Sequence, residues 1–254
     1  STPEAGRTAD RFDVVVIGAG FSGLYALHRL RQQSRRVVCL EAGDGVGGTW
    51  SEHTVHAPTT SKGRIREEAE EAYRAAEVPT IVLRAGNFID PHRNGDVMSV
   101  LLLRELDKGR VVAGGDPDAM QAYCYLPDWA AAAVALAEMR NELQKFEDIP
   151  FPGHAFSVND LRRELSALTG TELTVKSFPW WAMTLAAPFW ELAREMREMR
   201  YLYNLSHTLD GAKLARLVPG YRPTPLSEVL RTVLRAHEDA KARRTQTSVA
   251  TSQA

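Results

Sequence analysis

Gly18, Gly20 and Gly23 stand as Gly-Ala-Gly-Phe-Ser-Gly directly after the β-branched run Phe-Asp-Val-Val-Val-Ile of residues 12–17. Leu24, Leu27, His28 and Leu30 follow at helical spacing, and residues 36–41, Arg-Val-Val-Cys-Leu-Glu, form a second apolar run that ends in an acid. That order of strand, glycine turn, helix and strand suits a pyrophosphate. Gly18 permits a tight turn, Gly20 lets backbone approach the phosphates, and Gly23 lets helix and strand pack closely. Phe21 and Ser22 open the helix, whose first N–H groups and positive dipole end face the same phosphates. The Glu41 carboxylate can accept hydrogen bonds from a ribose diol, and it repels the 2′-phosphate of NADP. These residues predict dinucleotide binding.

The elements that must position them read as α/β. The runs at 12–17, 36–41 and 79–84 are strands that can lie parallel, with crossover helices near 22–33 and 62–76. Beyond them, residues 97–108 predict a helix ending at Gly109, and 111–116 a short strand and turn. Residues 128–140 predict a helix with Asp128 on its free N–H groups. Ser157-Val-Asn-Asp160 predicts a capped helix that stops at Gly170. A strand over 171–178 and one or two helices over 180–203 follow, then a last helix capped by Thr224 with Pro225 in its first turn. The expected fold is a reduced Rossmann-like parallel sheet with a mostly helical C-terminal substrate part. The division is a disordered 1–11, a dinucleotide-binding region over 12–90, a substrate or cap region over 91–240 and a disordered tail over 241–254.

Residues 41–50, Glu-Ala-Gly-Asp-Gly-Val-Gly-Gly-Thr-Trp, extend the first motif. With it, residues 11–50 resemble the N-terminus of Baeyer–Villiger and related flavin-containing monooxygenases. The resemblance implies FAD, with pyrophosphate at Gly18, Gly20 and Gly23, adenosine ribose at Glu41, and the turn Gly48-Thr49-Trp50 beside the flavin diphosphate. It ends there. No second G-x-G-x-x-G occurs, and in the family's F-x-G-x-x-x-H-x-x-x-W pattern Phe151-Pro152-Gly153 is present but Ser157 and Leu161 stand at the His and Trp positions.

From Ser51 to about residue 235 the chain resembles the C-terminal half of atypical extended short-chain dehydrogenases, the NAD-dependent epimerase/dehydratase group. Four segments carry it: Pro58 to Tyr73, residues 78–90 (Val-Pro-Thr-Ile-Val-Leu-Arg-Ala-Gly-Asn-Phe-Ile-Asp), Tyr123 to Ala130, and Tyr221 to Glu228. In that group a Tyr-x-x-x-Lys pair moves the proton during hydride transfer. Lys62 matches the Lys, which makes it the implied catalytic residue and holds the nicotinamide ribose; Pro58 stands where the Tyr belongs. Arg84 and Asn87 match strand-end residues that line the nicotinamide and substrate cleft. The chain therefore reads as a mosaic of a flavoprotein head and a dehydrogenase tail. The expected function is flavin- or NAD-dependent hydride transfer on a small, largely apolar substrate near Trp180–Trp190, with FAD preferred and NAD the alternative. The other reading is a non-catalytic nucleotide-binding module or an inactive mosaic.

Composition narrows the partners. Thirty-one Lys and Arg against 32 Asp and Glu give a formal net charge of −1, which offers no large attraction to nucleic acid or anionic membrane. No run reaches the roughly 20 apolar residues of a membrane helix. Two cysteines exclude a disulfide scaffold and a Cys-based zinc site, and suit a cytoplasmic location. His53-x-x-His56 lacks a third ligand at a typical spacing, so no metal is expected. The oligomeric state is left open.

Overall fold

In the computed structural model the described residues are 14–17, 37–40, 68, 70–75, 79–92, 95–187 and 199–252; for 14–17, 37–40, 186, 199 and 244–252 the description is of backbone alone. The chain is α/β, with parallel pairing dominant. β1 (Val14–Ile17) pairs parallel with β2 (Val37–Leu40) in the register Val14↔Val37 through Ile17↔Leu40. Both are Val-rich runs of the kind that suits a strand covered on both faces.

β3 (Thr80–Arg84) pairs parallel with β7 (Phe146–Pro150), not with the first pair. The expected third parallel strand therefore exists, and its hydrogen-bonded neighbour comes from far along the chain. β7 reads Phe-Glu-Asp-Ile-Pro, and its two central acids hid it from apolar periodicity. Asp148 and Glu147 have cationic partners, Arg84 and Lys213 at 2.7 and 2.8 Å, so burial of this strand does not leave bare charges.

The remaining strands among the described residues form two further sheets. β4 (Asn87–Ile89), β6 (Gln121–Tyr125) and β8 (His154–Phe156) form a three-stranded sheet in the order β4-β6-β8. β5 (Arg110–Ala113) pairs parallel with β9 (Thr174–Ser177). Gly86 joins β3 to β4 where a Cβ would stand 2.3 Å from the Ala122 carbonyl oxygen, so only glycine lets the two backbones approach.

Among the described residues, helices pack on these strands. α1 (Leu126–Glu138) and α4 (Ala212–Leu217) cover β3 and β7, with Leu136, Ile149, Phe151 and Leu214 in the shared core. α2 (Val158–Thr169) buries Val158, Leu161 and Leu165, spaced for one helical face. With Val111 and Val112 of β5, and Val229, Leu230 and Val233 of α5 (Leu226–Ser252), they make the larger core. α3 (Trp180–Ala186) follows β9.

The capping box expected at Ser157 is present: Ser157 Oγ accepts from the Asp160 N–H at 3.1 Å and Asp160 Oδ2 accepts from the Ser157 N–H at 2.9 Å. Gly170 ends the helix at φ 66°. Other expectations are corrected. Residues 97–108 are not one helix but a π-helical turn (Met98–Leu102) and a 3₁₀ turn (Leu106–Lys108) before Gly109 at φ 69°. Asp128 does not cap α1, whose N-cap is Tyr125; its carboxylate accepts from the N–H and hydroxyl of Thr224 at 2.8 and 2.7 Å. The last helix starts one residue later than expected: the Pro225 carbonyl accepts from the Val229 N–H, which puts Pro225 at the cap. Helical backbone continues through 241–252, where composition alone predicts disorder.

Candidate functional site

Two places bear on function. The first is the carboxyl edge of β1 and β2. Ile17 and Leu40, the last residues of the two strands, are register partners. In sequence they immediately precede Gly18 and Glu41. Two parallel strands that end side by side are the frame on which a glycine turn and a ribose-binding acid can meet one ligand. Gly18, Gly20, Phe21, Ser22, Gly23, Glu41, Gly48, Thr49, Trp50 and Lys62 themselves lie outside the described residues, as do Pro58, His53 and His56.

Arg84 and Asn87 are described. Arg84 closes β3 and is 8% exposed. Its Nε and Nη2 donate to the Asp148 carboxylate, both at 2.7 Å, and its Nη1 and Nη2 donate to Glu70, both at 2.8 Å. One planar guanidinium is thus clamped by two carboxylates, one on β7 and one on the helical residues 70–75. Burial alone would lower its pKa, but the hydrogen bonds and charges of Glu70 and Asp148 more than offset that and raise it. At the opposite end of the β3–β7 pair, where Phe146 faces Thr80, the Arg74 guanidinium lies 4.1 Å from the Phe146 ring centroid. Asn87 opens β4 opposite Tyr123 of β6 and is half-buried. Arg84 and Asn87 are therefore three residues apart, on two strands of different sheets.

The second place is an open cleft of about 640 Å³ at the carboxyl ends of β5 and β9. Gly114, Gly115 and Asp116 line one side, and Phe178, Trp180 and Trp181 line the other. Arg200 and Asn204 of the 3₁₀ turn Met199–Asn204 also face it. Trp180 is 8% exposed and donates its Nε1–H to the Gly114 carbonyl at 2.5 Å. Its ring meets Phe178 edge-on at 4.7 Å. Trp181, the next residue, is 70% exposed. Of the expected Trp180–Trp190 pocket, then, Trp180 is wall and Trp181 is surface, while Trp190 lies outside the described residues. Arg200 and Asn204 were not singled out by sequence, whereas Gly114 and Gly115 fall in the strand and turn expected over 111–116. Two adjacent glycines at a strand end were the available signal.

A further polar cluster, partly buried, gathers around Cys124 of β6. Asp128 holds Thr224, and Cys124 is a free, fully buried thiol whose pKa burial pushes well up. Burial holds His154 below its ordinary 6.5, with Asp128 and a Thr224 backbone hydrogen bond opposing. Among the described residues no hydrogen-bond partner meets His154 Nε2 or the Tyr221 hydroxyl. Among the described residues no group of three or more His, Cys, Asp or Glu is arranged for a metal ion, and no helix is long and apolar enough to cross a membrane.

Comparison with known proteins agrees with the two-part reading. Residues 16–68 match the family described as the NAD(P)-binding Rossmann-like domain, which supports dinucleotide binding by that segment. An N-terminal stretch of 38 residues is 58% identical to the FAD-binding monooxygenase acrE of Aspergillus aculeatus. It covers 15% of this chain and 6% of that protein, so the chain spans a small fraction of the curated relatives it matches. Over the whole fold the likeness is of another kind. The structure of MoeE5 in complex with UDP-glucose and NAD is similar with a TM-score of 0.63 at 18% identity, covering 90% of this chain and 99% of that one. TunA, an NAD-dependent NDP-hexosamine 5,6-dehydratase involved in tunicamycin biosynthesis, is similar with a TM-score of 0.61 at 13% identity, covering 90% and 98%. One chain thus joins a monooxygenase-like N-terminal stretch to a fold similar to those of MoeE5 and TunA.

Proposed function

We propose that this chain is a dinucleotide-binding oxidoreductase that moves hydride between FAD, in preference to NAD, and a small, largely apolar substrate. The observation that carries the reading is the register of Ile17 with Leu40, because it brings the strand ends before Gly18 and Glu41 together. In this reading the backbone at Gly18, Gly20, Phe21, Ser22 and Gly23 binds the pyrophosphate and Glu41 binds the adenosine ribose. Gly48, Thr49 and Trp50 flank the flavin side. Lys62 holds the ribose near the reactive end and lends its positive charge there. Asn87 borders the substrate. Arg84 shapes that border by fixing residues 70–75 against β7, since four of its five N–H donors are engaged by Glu70 and Asp148.

The FAD preference is supported by the identity with an FAD-binding monooxygenase; the structurally similar MoeE5 is in complex with NAD. Bound, either group supplies the hydride chemistry, and the chain supplies binding, orientation and water exclusion. Pro58 offers no phenol, so the proton must come from another group or from solvent. The test is the visible absorbance of the purified protein, with any nucleotide identified after denaturation. A flavin spectrum is the expected result. A colourless protein stabilised by NAD alone reverses the cofactor choice, and no response to either overturns the reading.

A further inference from the structure

We propose that the cleft between β5, β9 and α3 takes a planar aromatic ligand bearing a single carboxylate. The inference rests on the oxidoreductase reading only in taking this cleft as the substrate's. Its walls are pre-built. Gly114 packs so closely on Tyr203 that a Cβ would stand 2.8 Å from the ring. Trp180 Nε1 is fixed on the Gly114 carbonyl, and the Asp116 N–H donates to Asn204 Oδ1 at 3.0 Å. These bonds tie β5 to α3 and to the turn Met199–Asn204, so little ordering is left for a ligand to bring about.

Trp181 stands 70% exposed on this rigid frame. A large indole in water beside a concave surface offers a flat apolar face, the side-chain type most often found at binding hot spots. The Arg200 guanidinium lies 5.6 Å from the Trp180 ring centroid, and among the described residues no carboxylate is within ion-pair distance of it. Held near the ring by a cation–π contact, it has N–H donors to offer a planar carboxylate. The described lining holds one cation, Arg200, and one anion, Asp116, whose carboxylate accepts from the Asp118 N–H at 2.9 Å. One guanidinium can engage one carboxylate in a two-point contact. A diphosphate brings about two negative charges to the same single cation and meets correspondingly more repulsion from Asp116 than a monoanion does. A volume of about 640 Å³ lies within the range of small-molecule sites.

The test is calorimetric titration of the full chain with 2-naphthoate, 2-naphthamide and UDP-glucose, with the melting response to FAD and NAD measured on the same preparation. Saturable binding of 2-naphthoate is expected, tighter than that of UDP-glucose. Arg200→Met should weaken 2-naphthoate about tenfold and leave 2-naphthamide unchanged, and Trp181→Ala should weaken both by about tenfold. Both side chains are surface ones, so the melting temperature of each variant should stay at the parent's. Absent binding of 2-naphthoate, tighter binding of UDP-glucose, or an Arg200→Met variant that binds both aromatic probes like the parent overturns the ligand class. A cofactor response without 2-naphthoate binding sinks this inference alone. Binding of 2-naphthoate without a cofactor response sinks the oxidoreductase reading alone.

Discussion

β1–β2 and β3–β7 are both parallel pairs, and they are specified in different ways. The first is joined across residues 18–36, the second across residues 85–145. In the short crossover every signal is local: two Val-rich runs, a glycine turn between them and an acid after the second. The long one has little local signal in β7, and its pairing is secured by side chains that meet only in three dimensions. Arg84 reaches Asp148 across the pair and Glu70 behind it. A parallel pair can thus be written into a contiguous motif or into a buried ionic clamp.

Breaking the clamp should have the largest effect. Arg84→Met leaves the Glu70 and Asp148 carboxylates facing each other at a largely buried site, and should cost roughly 3–5 kcal/mol in denaturant unfolding. A loss below about 1 kcal/mol would mean that the clamp does not hold the pair. The same variant should leave any cofactor response of the N-terminal segment in place at low temperature, because no residue of β1 or β2 pairs with β3.

Gly153→Ala should come next. Gly153 has φ +51°, and a Cβ there would stand 2.0 Å from the Tyr123 carbonyl oxygen. Backbone must move, at a cost of roughly 1–3 kcal/mol. That cost, read as a lower denaturation midpoint, would confirm that Gly153 is fixed by its turn geometry and its packing on Tyr123. An alanine variant as stable as the parent would contradict it.

The smallest effect is the pH dependence of the cluster around Cys124 of β6. Because burial holds the folded His154 below 6.5, the unfolded chain takes up its proton first. His154 thus costs nothing above 6.5 and removes stability as pH falls through and below that value. His207, also held low by burial, acts in the same direction. His154→Gln should therefore flatten the decline without abolishing it, as followed by melting temperature across that window. An unchanged slope would place the titration elsewhere.

What was legible follows the same contrast. The capping box at Ser157, the stop at Gly170, the strands around 14–17, 37–40 and 80–84, and the α/β class could all be read, because each rests on neighbours in sequence. β7 could not, because buried acids mimic a surface segment until their cations are known. Asp128 read as a helix cap because its place in the first turn allows it, and only the fold reveals Thr224, 96 positions away, as its partner. In the cleft, Trp180 and Trp181 were legible as a candidate pocket, but which of them would be exposed was not. That depends on Gly114 accepting the Trp180 indole N–H. Arg200 carries no sequence signal, since its role comes from standing over that same ring.

The proposed function depends most on a dinucleotide held at the edge where β1 and β2 end together. The direct measurement is the melting temperature of the full chain titrated with FAD and with NAD, in parallel with Gly20→Val. The account predicts a saturable rise for the parent, greater with FAD, and no rise for the variant, whose branched side chain fills the space the pyrophosphate needs. An equal rise in both proteins would contradict it.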